Sequence, residues 1–260
     1  MNPVTIVTGA SSGIGEALAR VFAGRGHALA LVARREQRLK ALAAEIVASG
    51  APEPLVLAID LTLPTAAAWI GNALAARGLE PQYVVNNAGF GLVGRADALD
   101  RDEQLATIDL NMRALADLSL AFVDSLARHR GGILNVASVA GLIPGPGSAV
   151  YYASKAFVVS FSDALHAELA PRGIRVTCLC PGPVATGFQA RAGVAEAEPP
   201  RPFALPADRV ARAGYRGLMR GRRMVVPGIA NKIVAALAPR IVPRETLLAM
   251  LEARQARRLT

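Results

Sequence analysis

From the N-terminus to about residue 180, short apolar runs without polar alternation are separated by longer stretches of helical period. Strands are predicted at 4–8, 28–33, 54–59, 83–86, 132–137 and 175–180, with a shorter seventh at 224–226. The segments at about 13–25, 36–49, 64–77, 102–129 and 151–171 are predicted to be helices. A strand that is apolar on both sides must be buried on both faces, as happens in a parallel sheet covered by helices on each side. The expected fold is α/β: a doubly wound parallel sheet of seven strands with helices on both faces, in one domain. With 52% apolar and 19% charged residues, the chain can bury a large core. The one long irregular stretch, 183–207, is rich in Pro, Gly and Ala; a loop of that length in a compact domain is usually functional.

The first strand runs into Thr8-Gly9-Ala10-Ser11-Ser12-Gly13-Ile14-Gly15 and then a helix. Glycines in this place permit a tight turn, close approach of backbone to a pyrophosphate, and close packing of helix on strand. The helix N-terminus offers free N–H groups to the anion. A purely structural glycine turn is the competing explanation, and the strand-turn-helix context of a Rossmann βαβ unit argues against it. Gly9, Ser11, Ser12, Gly13, Ile14 and Gly15 are therefore assigned to cofactor binding. The second strand ends in Val32-Ala33-Arg34-Arg35. A chain selecting NAD would place a carboxylate there for the ribose hydroxyls. Arg34 and Arg35 suit a 2′-phosphate instead, with no carboxylate to repel it. NADP(H) is the expected cofactor and NAD(H) the less favoured one; the alternative is that both arginines are solvated helix-cap residues.

Ser138 to Lys155 reads S-V-A-G-L-I-P-G-P-G-S-A-V-Y-Y-A-S-K. Tyr151 and Lys155 are four apart, and Phe157, Phe161, Leu165 and Leu169 continue that spacing, so the two side chains share one helix face. An ammonium about 4 Å from a phenol, at an effective dielectric of about 20, favours the phenolate by roughly 4 kcal/mol, or about three pKa units. The pair is expected to be a proton-transfer site with a lowered tyrosine pKa. Alone, Y-x-x-x-K is too short to separate this from an ordinary amphipathic helix with two surface tyrosines and a solvated lysine.

Four further features are Asn86-Asn87-Ala88-Gly89, Asn111 in D-L-N, Ser138 thirteen residues before Tyr151, and Pro181-Gly182-Pro183-Val184. Together with the glycine turn and Y-Y-A-S-K, they resemble the compact branch of the short-chain dehydrogenase/reductase superfamily. The resemblance runs from residue 1 to about 230. In style the chain is similar to bacterial members related to long-chain 3-oxoacyl reductases. The resemblance implies that Tyr151 is the general acid when a carbonyl is reduced and the base in reverse. It implies that Lys155 lowers the pKa of Tyr151 and bonds the nicotinamide ribose, and that Ser138 holds the substrate oxygen. Asn111 would sit at a break in the long helix and hold a water relaying protons to Lys155. Asp60 and Leu61 would lie at the adenine and Asn87, Ala88 and Gly89 beside the adenosine ribose. Pro181, Gly182, Val184 and Thr186 would hold the nicotinamide amide and pyrophosphate. Tyr152 could also reach Lys155 on a helix, but the offset from Ser138 selects Tyr151. The implied activity is NADP(H)-dependent reduction of a carbonyl, of ketone or 3-oxoacyl type, to an alcohol. The alternative is a non-catalytic NADP(H)-binding sensor or scaffold protein on the same fold.

The segments expected to face substrate are largely apolar: Leu142, Ile143 and Val150, then Val184, Phe188, Val194, Phe203 and Leu205. They fit an apolar carbonyl or alcohol substrate, an acyl thioester included. The net charge of +9 is concentrated at 201–260, which carry thirteen basic and three acidic residues. Such a region could hold acyl-CoA phosphates, an acidic carrier protein or an anionic membrane surface, or could be a solvated face. No nucleic-acid module accompanies it. Cys178 and Cys180 alternate to one side of a strand with no other Cys or His nearby, so core packing is expected and no metal site. The first apolar run begins at Val4, leaving no room for a secretory leader, and the run 225–242 is interrupted by Pro227, Lys232, Pro239 and Arg240. A cytoplasmic protein is expected. Residues 1–227 are expected to form the catalytic domain, loop 183–207 included, and 228–260 a basic helical extension of it. The resemblance also implies a homodimer or homotetramer through the helices at 102–129 and 151–171.

Overall fold

Each strand sends alternate side chains into two buried layers. In β1 (Asn2–Thr8), Val4 and Ile6 enter one layer and Val7 the other; in β2 (Leu29–Ala33), Ala30 and Val32 enter the first and Leu29 and Leu31 the second. The computed structural model describes residues 1–184, 203–233, 235 and 243–259. The remaining strands are β3 (Leu55–Ala58), β4 (Leu79–Asn86), β5 (Gly132–Val136), β6 (Arg175–Leu179) and β7 (Met224–Val225). All pair in parallel in the order β3-β2-β1-β4-β5-β6-β7, the doubly wound sheet expected from the apolar runs.

One face is covered by α1 (Gly13–Ala23), α2 (Glu36–Ala48) and α8 (Ala207–Met219), through Leu18, Phe22, Leu39, Ile46, Val210 and Leu218. The other is covered by α3 (Ala66–Ala75), α5 (Leu115–Ala121), α6 (Val123–Arg128) and α7 (Ala149–Leu169), through Ile70, Leu74, Leu118, Leu126 and Leu165. Phe22, Leu18, Ile70 and Leu74 are fully buried; burying one such side chain stabilises the fold by about 1.5–3 kcal/mol. The chain winds outward from β1 to β3 and then returns to β4 on the other side of β1. A crevice therefore opens beyond the carboxyl ends of β1 and β4, the usual ligand position in such sheets.

α8 lies where no helix was expected, and β4 and the helix at 102–129 also differ from expectation. β4 begins at Leu79 rather than 83, because 79–81 pair with the first residues of β1; the ladder shifts register between Val4 and Thr5, where Pro81 has no N–H to donate. The single helix expected at 102–129 is instead α4 (Arg101–Ile108), a π-helical turn at Asp109–Ala114, α5 and α6, the last two parting at Phe122 (φ −111°). A further helix, α9 (Arg244–Leu259), lies near the C-terminus. Among the described residues no helix is long and apolar enough to cross a membrane.

Candidate active site

Thr8, the last residue of β1, locks the crevice. Its hydroxyl donates to the Val85 carbonyl on β4 (3.1 Å) and accepts from the backbone N–H groups of Asn87 (2.9 Å) and Ala88 (3.0 Å). The Asn87 side chain donates to the Thr8 carbonyl (3.0 Å). The glycine turn is thereby held against N-N-A-G. A Cβ at Gly9 (φ +64°) would lie 2.7 Å from Asn87 Nδ2, and one at Gly15 would lie 2.3 Å from the Gly9 carbonyl oxygen. Neither position has room for a side chain. Gly89 is equally confined: its Cβ would lie 2.7 Å from Asn111 Oδ1 and 3.5 Å from Lys155 Nζ. A side-chain-free cradle at the start of α1, with Ser12 at its N-cap, fits the pyrophosphate of a dinucleotide.

Arg35 closes over this turn. Its Nη2 donates to Ser12 Oγ (2.8 Å), Ser11 Oγ (2.9 Å) and the Ser11 carbonyl (3.2 Å). Arg34 instead lies 3.7 Å from Asp60 Oδ2. Partial burial works against the Asp60 charge, but bonds from the Thr62 backbone and hydroxyl, with Arg34 beside it, hold its pKa below the ordinary carboxylate value. The expectation of two arginines with no carboxylate nearby is corrected: strand pairing brings Asp60, after β3, alongside the end of β2. Leu61 is buried in the core layer beside Ile70, so its side chain does not face the crevice.

Ser138 follows β5 with an extended backbone, and its hydroxyl accepts from Ala140 N–H (3.1 Å) and bonds to Tyr151. Tyr151 and Lys155 occupy one face of α7, with the Lys155 ammonium 5.9 Å from the Tyr151 ring centroid and donating to the Val136 carbonyl (2.9 Å). The lowered tyrosine pKa expected above is overturned. Burial pushes the Tyr151 phenol up to about 12, against a smaller opposing effect of its bond to Ser138. Burial also brings the Lys155 ammonium down to about 8, with Cys178 and Cys180 acting weakly the other way. The expectation counted one favourable pair; the structure adds the desolvation of both members.

Asn111 lies in the π-helical turn and is 1% exposed. Its Oδ1 accepts from Phe90 N–H (3.1 Å), and its Nδ2 donates to the Phe90 carbonyl (2.8 Å) and Ser154 Oγ (2.9 Å). Both amide donors are therefore occupied by the protein. Ser154 in turn donates to the Tyr151 carbonyl (2.7 Å). The Tyr152 ring covers Gly145, where a Cβ would lie 2.1 Å from it.

Pro181 accepts from Val139 N–H (3.0 Å) through its carbonyl, and Gly182 abuts Asn231, where a Cβ would lie 2.5 Å from the side-chain amide. Val184 is buried against the α1 layer. Thr186, Phe188 and Val194 lie outside the described residues. Leu92, Leu99 and Val150 line a pocket beside Tyr151 together with the polar Gln104, Thr107 and Ser148, whereas Leu205 packs near Gly228. Four residues that position the site went unassigned in the sequence. Thr8 was signalled only by its place before the glycines, and Gly91 only by following N-N-A-G-F. Ser154 was signalled only by its place in Y-Y-A-S-K, and for Asn231 no local signal exists, because it acts on a segment far along the chain. Among the described residues no cluster of three or more His, Cys, Asp or Glu could hold a metal ion.

A family model described as short chain dehydrogenase matches residues 3–197. Sulfoacetaldehyde reductase 2 of Chromohalobacter salexigens is 38% identical over 191 residues, 72% of this chain and 75% of that protein. The very-long-chain 3-oxoacyl-CoA reductase of Anas platyrhynchos is 36% identical over 186 residues, 70% of this chain and 59% of that protein. Among solved structures, a short-chain dehydrogenase from Sphingobium yanoikuyae in complex with NADPH superposes with a TM-score of 0.79 at 33% identity, over 98% of this chain and 94% of that one.

Proposed function

This chain belongs to the short-chain dehydrogenase family, and we propose that it is an NADP(H)-dependent reductase converting an apolar ketone or 3-oxoacyl compound to the alcohol. The observation that carries this assignment is the meeting of Ser138, Tyr151 and Lys155 beside the glycine cradle, two of them in mutual hydrogen bond. When bound, the reduced nicotinamide supplies the hydride. The turn from Gly9 to Gly15 would hold the pyrophosphate, and Arg35 with Ser11 and Ser12 the 2′-phosphate. Asp60 and the Leu61 backbone would meet the adenine, Asn87, Ala88 and Gly89 the adenosine ribose, and Pro181, Gly182, Val184 and Thr186 the nicotinamide side. The name of the NADPH-bound Sphingobium protein supports the choice of cofactor.

Ser138 Oγ–H would hydrogen-bond the carbonyl oxygen as negative charge develops there, and the Tyr151 phenol would deliver its proton to that oxygen. A phenol with a pKa near 12 is protonated at neutral pH, the state an acid requires. The phenolate left behind would be stabilised by Lys155 and reprotonated through it, with Asn111 fixing the surrounding backbone. Leu92, Leu99 and Val150 give the pocket an apolar side for the body of the carbonyl substrate, and Gln104, Thr107 and Ser148 supply its polar contacts. Exposed Leu105, Ile108 and Leu120 on α4 and α5 support a homodimer or homotetramer through that face. Asn231 against Gly182 supports treating residues from 228 as an extension of the catalytic domain.

NADPH oxidation across a panel of ketones, aldehydes and 3-oxoacyl thioesters tests the assignment. Turnover of apolar carbonyls is expected, abolished by Tyr151→Phe and retained by Tyr152→Phe, with NADPH binding intact in both. Tight NADPH binding with no turnover across the panel would refute it in favour of a sensor.

A further inference from the structure

At the β7 edge of the sheet, a groove of about 670 Å³ runs between α8 and the chain that follows β7. Arg209 and Arg216 on one face of α8, and Arg220 at its C-terminal cap, line it together with Arg222 and Lys232, and no carboxylate is among the lining residues. All five cations are exposed. Some exposed arginines are paired, Arg20 with Glu16 and Glu45, Arg172 with Asp124, and on α8 itself Arg212 with Asp208, while Arg25, Arg38 and Arg77 stand singly on other parts of the surface without an ion pair among the described residues. Among the described residues, none of the five groove cations is in an ion pair.

The cations are spread out rather than convergent. Positions 209 to 220 span roughly 16 Å of helix at about 1.5 Å per residue. A compact phosphate would engage one or two of them, whereas an extended layer of negative charge would engage all. Next to them stand Ile229 and Ile233, 78% and 52% exposed and one helical turn apart. Aliphatic side chains left in water beside unpaired cations suit the boundary of a bilayer, where cations meet phosphates and short apolar side chains enter the acyl region. In the sequence, ten of the fourteen residues at 229–242 are apolar, interspersed with Lys232 and Arg240.

We propose that this face docks the protein reversibly on a membrane surface of anionic phospholipid, with Arg209, Arg216, Arg220, Arg222 and Lys232 on the headgroups and Ile229 and Ile233 in the acyl boundary. The docking is independent of the reaction assigned above. Co-sedimentation of the full chain with phosphatidylcholine vesicles, with and without phosphatidylglycerol, tests it. Binding is expected only with phosphatidylglycerol, and should weaken as salt shortens the screening length below about 10 Å. The triple variant Arg209→Gln, Arg216→Gln, Arg220→Gln should lower the partition coefficient about 100-fold, near fivefold per cation. Ile229→Asn with Ile233→Asn should lower it with the charge intact, and turnover of a small soluble ketone should be unchanged in both variants. Absence of binding, equal binding to both vesicle types, or unaltered binding of the triple variant would overturn the docking. So would a triple variant that binds vesicles normally but shows a raised KM for a CoA thioester, which would mark a substrate-phosphate site. Loss of oligomeric state in that variant would mark a subunit contact and overturn it too.

Discussion

Gly91→Ala tests whether the position of the Tyr151 ring sets the rate. A Cβ built at Gly91 lies 2.5 Å from Tyr151 Cδ2, 2.7 Å from Cγ and 3.2 Å from Cβ. Carbon atoms in contact rest about 3.5–4.0 Å apart, so the ring must retreat by about 1 Å. It is not free to do so at constant geometry: its hydroxyl is bonded to Ser138, and the Tyr152 ring stands edge-on at 6.0 Å between centroids. A displacement of that size at an acid–base group lowers kcat on the order of 100-fold, about 2.7 kcal/mol in the barrier. Gly91 lies outside the glycine cradle, so the Kd for NADPH should stay within a factor of about two. Gly145→Ala is the matched control. Its Cβ would lie 2.1 Å from the Tyr152 ring, a similar clash on the tyrosine that is not the acid, and kcat should fall only a few-fold. Steady-state kinetics on a ketone, fluorescence titration of NADPH and a thermal melt for each variant separate these outcomes. A kcat for Gly91→Ala within about threefold of the parent, or an equal loss in both variants, would refute the reasoning.

Arg35→Ala should weaken NADPH binding about 10- to 100-fold, as expected for one hydrogen-bonded charge, and leave NADH nearly unchanged. Arg34→Ala should do less, because Arg34 is paired with Asp60; equal losses for both cofactors would show that Arg35 acts through the turn alone. Thr8→Val leaves two N–H groups and one carbonyl without their partner and should cost about 2–4 kcal/mol in urea denaturation, with a carbonyl-to-alcohol rate that falls in parallel. For pH, the folded Lys155 pKa of about 8 lies below its unfolded value of 10.5, so the folded state binds fewer protons between these limits and stability should rise across pH 8 to 10.5. The rise is on the order of 3 kcal/mol and should vanish in Lys155→Met. The folded Tyr151 pKa of about 12 lies above 10, so stability should fall again across pH 10 to 12, a limb that Tyr151→Phe removes.

The sheet was legible in the sequence because its signal is local. Strands buried on both faces need uninterrupted apolar runs, and Leu29 to Ala33 or Tyr83 to Val85 supply them whatever their neighbours are. The glycine turn was legible for the same reason, since Gly9, Ser12 and Gly15 act within eight residues. What stayed hidden depends on which strands become neighbours. Asp60 meets Arg34 only because β3 pairs with β2, and Asn231 meets Gly182 across 49 residues of chain. The π-helical turn was foreseen only as the helix break that the resemblance implies at Asn111; what holds it, the bonds of Asn111 to Phe90 on a different segment, carries no composition signal.

The electrostatics of Tyr151 and Lys155 were misjudged for a related reason, and the correction bears on direction. Spacing alone places an ammonium near a phenol and predicts a tyrosine pKa lowered by about three units. Spacing does not reveal that the Lys155 side chain is itself buried, so that desolvation works against its charge. Burial favours the uncharged form of each group, so the unliganded site holds its tyrosine as an acid and its lysine near the point of losing charge. Reduction is therefore the direction expected of this site at neutral pH. Oxidation of the alcohol requires the phenol to lose its proton first, and should therefore accelerate with rising pH while reduction does not. Parallel pH–rate profiles for the two directions decide this, and a reduction rate that rises with pH as steeply as oxidation would show that the phenol is not the proton donor.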